Sequence, residues 1–165
     1  MTEFREHPSL ACVWNGTRLV PAAEAKAAEA TVWFTVPPAR DFPEAPTTWE
    51  ALPASRLSDD TFSVCGCPVL FSGVAFGDTV RAIASGEGAL AVTEVVERGG
   101  YDSARLWFAK GGDAWRSPTE TLATVGCVVD VYSERLVGIS WPTSTDIHAS
   151  LRRLEAEGLL EFATG

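Results

Sequence analysis

Apolar and polar positions alternate along most of this chain, and the period is that of β-strands. Thr31–Val36 alternates β-branched and aromatic residues. Trp49–Leu52 and Thr61–Cys65 read as two short strands, with Ser58-Asp59-Asp60 as the turn between them. Thr79–Ala84 and Ala89–Glu97 are strands joined through Gly86-Glu87-Gly88, and Gly99-Gly100 ends the second. Ser103–Phe108 puts Ala104, Leu106 and Phe108 on one face.

The period then changes. Ser117-Pro118-Thr119-Glu120 combines a capping box with proline at the first helical position, which predicts a helix to about Val125, stopped by Gly126. Strands Cys127–Tyr132 and Leu136–Trp141 follow. A second helix is expected to be capped by Thr143 or Ser144, to bury Ile147, Leu151 and Leu154, and to stop at Gly158. Leu159–Phe162 reads as a last short strand. The fold class expected is α+β: a small β-rich half with barrel-like strands over 31–100, then a ferredoxin-like β-α-β-β-α-β half over 101–165. Residues 1–30 read as an N-terminal appendage. It holds a hairpin turned at Asn15-Gly16, then an alanine-rich stretch from Ala22 to Ala30 that is either a surface helix or a linker.

Composition narrows the class of function. The 165 residues are 46% hydrophobic and 21% charged, which fits a packed domain rather than a disordered chain. Thirteen basic and 22 acidic residues give a net charge of −9, spread along the sequence. That charge argues against nucleic acid or an anionic membrane as partner and suits a basic protein partner. No apolar run is long enough for a membrane span, and the N-terminus lacks the pattern of a secretory signal, so a cytoplasmic protein is expected.

Candidate chemistry is sparse. Gly-x-Ser-x-Gly, P-loop and Gly-x-Gly-x-x-Gly patterns are lacking, and no cofactor is expected. Four cysteines stand at 12, 65, 67 and 127. The gap in Cys65-Gly66-Cys67 is too short for the usual zinc pair, so reduced, metal-free thiols are expected. Cys65 and Cys67 nevertheless define one candidate site, as nucleophiles or as the base of a small-ligand pocket. The nearest bases in sequence, Arg56 and Arg81, offer no adjacent cation to lower a thiol pKa. Trp115, in a loop between a glycine pair and the capping box, is the candidate exposed anchor among six tryptophans. His148 falls at the rim of its helix's apolar face, and Asp146, two residues away, does not face it. Gly77 and Asp78 read as a structural turn, glycine permitting an unusual φ and aspartate accepting backbone N–H bonds.

One set of residues resembles a known family. Trp49-Glu50-Ala51-Leu52, Asp60-Thr61-Phe62-Ser63-Val64, Pro68 and Gly73-Val74-Ala75-Phe76-Gly77-Asp78-Thr79-Val80 resemble the bacterial domain-of-unknown-function family numbered 4265. Ala104–Phe108, Leu122–Gly126 and Leu136–Pro142 extend the likeness, which covers roughly residues 31–162. Cys65-Gly66-Cys67 and residues 1–30 depart from the pattern. The resemblance implies a bacterial cytosolic protein and carries no activity. The Gly77-Asp78 step also resembles that of small cradle-type β-barrels. Two readings of function follow from the sequence. One is a non-catalytic binding or regulatory module, such as an immunity or antitoxin-like protein masking a basic partner. The other is a small cysteine-dependent enzyme or small-molecule-binding protein built around Cys65 and Cys67.

Overall fold

The computed structural model describes residues 2–165. The chain runs β1 (Thr2–Glu6), β2 (Cys12–Trp14), β3 (Leu19–Pro21), α1 (Ala23–Ala27), β4 (Ala30–Val36), β5 (Thr47–Arg56) and β6 (Thr61–Val64). It continues through β7 (Thr79–Ala84), β8 (Leu90–Glu97), β9 (Tyr101–Trp107) and α2 (Arg116–Thr124). The last elements are β10 (Val128–Val131), β11 (Leu136–Pro142), α3 (His148–Ala156) and β12 (Glu161–Thr164). The fold is mixed α+β and rich in strands.

Five strands curl into a barrel-like sheet in the order β5-β4-β8-β7-β6, and β6 pairs back onto β5. Closure satisfies edges that an open sheet would leave unpaired. The inward phase of each strand fills the interior with Val32, Phe34, Leu52, Ala54, Phe62, Val64, Val80 and Ala82. β5 is longer than the segment expected and runs through Pro53, whose carbonyl accepts the Cys65 N–H at 2.8 Å. β1 lies parallel on the outside of β5, Phe4 opposite Trp49.

The second sheet has the order β12-β9-β11-β10-β2-β3 with antiparallel neighbours throughout. Leu106, Phe108, Val129, Val137, Ile139 and Trp141 of this half pack with Leu122 of α2 and with Ile147, Leu151 and Leu154. A smaller cluster packs Ala11, Ala22, Ala25 of α1, Cys67 and Phe76 with Val128 of β10. The stretch 1–30, expected to be an appendage, contributes strands to both sheets. β1 joins the barrel, while the β2–β3 hairpin borders β10 through Cys12 and Val129.

The helix starts differ from the sequence reading. Ser117 does not cap α2. Trp115 is already in helical conformation with φ −70° and ψ −27°, because the Arg116 N–H to Asp113 carbonyl turn begins the winding earlier. Pro118 then sits in the first turn, where its missing N–H leaves no partner unmet. α3 starts at His148 without a side-chain cap from Thr143 or Ser144. The last strand starts at Glu161, since the Leu159 N–H bonds the Leu154 carbonyl and Leu160 turns into the core.

Candidate functional site

The most concentrated chemistry is a buried ionic cluster that joins the two sheets. On β5 the inward phase that places Leu52 and Ala54 in the barrel also places Glu50 there, fully buried. Its carboxylate accepts the backbone N–H groups of Val69 at 2.8 Å, Leu70 at 3.0 Å and Phe71 at 2.7 Å. His7 follows β1, and the parallel register of β1 with β5 carries it to this carboxylate. His7 Nε2 lies 2.6 Å from Glu50, and Nδ1 lies 2.8 Å from Asp130 on β10. The second oxygen of Asp130 accepts the Cys67 N–H at 2.9 Å.

Burial alone would pull the His7 pKa down. The hydrogen bonds and charges of Asp130 and Glu50 outweigh it and raise the pKa from 6.5 to about 9. At neutral pH the ring is therefore an imidazolium donating both N–H groups, one to each carboxylate. Its side chain is 2% exposed, and the Tyr132 ring stands edge-on at 5.3 Å. With both nitrogens occupied and the carboxylates receiving backbone donors, the cluster holds charge in place and presents no open face to a substrate. The sequence reading passed over His7. The available signal was an acid, Glu50, on the inward phase of an otherwise apolar strand.

The candidate thiols are shut away. Cys65 is buried beside Ser55, and burial raises its pKa. Cys67 is fully buried, and its thiol is pushed well above the ordinary range by desolvation and then by the Asp130 charge. Burial carries Cys127 to about 12. A nucleophilic thiol needs the opposite shift. Among the described residues no group of three or more His, Cys, Asp or Glu is arranged to hold a metal ion.

Asp78 is buried at the turn. One oxygen accepts the Ala75 N–H at 3.0 Å and Arg98 at 3.1 Å, and the other accepts the Gly99 N–H at 2.7 Å. Gly77 has φ +89°, and its carbonyl passes so close to Gly99 that a Cβ there would lie 2.1 Å from the oxygen. Trp115 is half-buried against the core of the second half, with the Arg116 guanidinium 4.8 Å from its ring centre. His148 opens α3 with its ring edge-on to Trp141 at 5.7 Å.

None of Cys65, Cys67, Trp115 or His148 lines the groove of about 690 Å³ on the second half. That groove lies between the start of α2, the turn after α3 and the adjoining ends of β9 and β12. Phe108, Pro118 and Leu160 are its buried wall, while Trp107 and Leu159 are 43% and 45% exposed. Lys110, Asp113, Glu155 and Glu161 also line it. Trp107 was legible in principle: if Ala104, Leu106 and Phe108 face the helices, Trp107 faces away.

With this geometry in hand, kinship can be placed. A family model described as a domain of unknown function (DUF4265) matches residues 50–162. The chain belongs to this family. The DUF4265 match includes Glu50, Asp78, Asp130 and the groove, and begins beyond His7. None of the curated proteins matches the chain. A solved structure described as a hypothetical protein from Neisseria gonorrhoeae is similar, with a TM-score of 0.66 and 13% identity over 82% of this chain and 92% of its own. At that identity the likeness concerns the fold. Among the described residues no helix is long and apolar enough to cross a membrane.

Proposed function

We propose that this DUF4265 protein is a non-catalytic binding or regulatory module that engages a basic protein partner in the cytoplasm, in the manner of an immunity or antitoxin-like protein. The observation that carries the reading is a contrast. The buried ionisable groups and thiols are closed to solvent, whereas the open groove is walled mainly by apolar groups and holds no paired nucleophile and base. The β9–β12 unit reads as a ferredoxin-like half. Its element order β-α-β-β-α-β and its strand order of fourth, first, third, second support that reading. Burial of Cys65 and Cys67 favours binding over a cysteine-dependent enzyme.

The test is affinity capture from the native host, followed by association rates at low and high salt. A stoichiometric basic partner whose association slows as salt rises is expected, because charge steering is screened by salt. A partner whose rate ignores salt, or a turnover abolished by Cys65→Ser or Cys67→Ser, would overturn the reading.

A further inference from the structure

The groove's chemistry specifies its occupant more closely, on the assumption that the protein is a binding module. We propose that it takes a cationic, extended polypeptide segment that combines apolar side chains with Lys or Arg, laid along the free edge of β12.

Among the described strands β12 pairs with β9 alone, so its outer edge faces no further strand and can accept one. The Phe162 N–H of this strand donates to the Glu155 carboxylate at 3.3 Å, a side-chain acceptor standing where the carbonyl of an added strand would. The groove opens at the start of this strand, with Glu155 and Glu161 among its lining residues. Trp107 and Leu159 leave large apolar surface in water there, and such a patch with a polar rim marks an interaction site. An extended segment presents alternate side chains to opposite sides: on one it would meet Trp107 together with its cross-strand partner Glu161, on the other the α3 side with Glu155.

Charge decides the sign of the polar side chains. Asp113, Glu155 and Glu161 against Lys110 give three acids minus one base, or −2, on a chain carrying −9. Arg135, from the neighbouring turn, donates to the Phe108 and Ala109 carbonyls and keeps its charge, so the balance with it counted is −1. Lys and Arg are therefore favoured, and a polyanion is repelled.

The probe is a fluorescein-labelled ten-residue peptide alternating Leu or Val with Lys or Arg, beside a copy carrying Glu or Asp in place of the bases. Both are titrated into the full chain by fluorescence anisotropy. Saturable binding of the cationic peptide is expected, weakened at least about tenfold by Leu159→Lys, a loss typical of a central apolar anchor. The double variant Glu155→Gln and Glu161→Gln should weaken binding and flatten its salt dependence; glutamine can still accept the Phe162 N–H, so the fold is kept. Equal binding of the anionic copy, no saturable binding of the cationic one, or an affinity unchanged by Leu159→Lys would overturn the proposal. So would a dimer in sedimentation that Leu159→Lys dissolves, since the occupant would then be a second copy of this chain. A host partner that binds Leu159→Lys as tightly as wild type overturns the groove and leaves the binding-module reading standing. Capture of no basic partner by wild type overturns that reading instead.

Discussion

Removing the His7 cation should weaken the joint between the two sheets. The imidazolium is flanked by Glu50 and Asp130, both essentially inaccessible to water. His7→Gln cannot supply two charged donors, and breaking a buried ion pair costs about 3–5 kcal/mol. The pH dependence gives a second magnitude. A pKa raised from 6.5 to about 9 contributes stability that is complete below 6.5 and is lost as pH rises through 9. Linkage places this contribution near 3 kcal/mol at pH 6 and about 1 kcal/mol at pH 8, so about 2 kcal/mol should disappear between them. Urea unfolding at pH 6, 7 and 8 measures the slope, and subtracting the His7→Gln slope cancels the other titrating groups. Should that variant fail to fold, a proton NMR titration of His7 in the wild-type protein reads the same pKa. Equal slopes for wild type and His7→Gln, or a His7 that titrates near 6.5, would refute the reasoning.

Other perturbations follow from the same contacts. Gly138→Ala would bring a Cβ to 2.6 Å from the Cys67 carbonyl and 2.9 Å from that of Pro68; backbone has little room to yield, and a loss of about 1–3 kcal/mol is expected in urea unfolding. Asp78→Ala strands the Ala75 and Gly99 donors and should lower the melting temperature, at a cost of about 1–3 kcal/mol. Leu151→Ala should cost about 2–5 kcal/mol by chemical denaturation, since the side chain is fully buried between α3 and the second sheet. Thiol labelling of the native protein at pH 7.5 should reach Cys12 first and spare Cys65, Cys67 and Cys127 until unfolding; rapid labelling of Cys65 or Cys67 would contradict their burial.

What was readable along the chain was local. Alternation located the strands between residues 30 and 107, because one face of each is apolar enough to mark the period. Ile147, Leu151 and Leu154 marked the buried face of α3. What stayed hidden depends on partners distant in sequence. β1 is a short strand of mixed polarity, and only its pairing with residues 47–51 of β5 makes it one. His7 likewise looks ordinary until Glu50 and Asp130 are brought to its two nitrogens. Trp115, chosen for its loop context, is half-buried, whereas Trp107 and Leu159 form the open wall of the groove. A strand tryptophan is most simply read as core, and only knowing which face the helices cover reverses that. Helix starts eluded the capping rule in opposite directions: α2 winds from Arg116, before Ser117 could cap, and α3 starts only at His148, past Thr143 and Ser144.

Chemical-shift mapping of the labelled protein during titration with the cationic peptide tests binding at the groove most directly. Saturable shifts are predicted at the Trp107 indole N–H and at the Gly158, Leu159 and Phe162 amides, absent from a Leu159→Lys sample. Shifts centred instead on Phe4 and Trp33 of the barrel's outer face, or a spectrum that never changes, would contradict it.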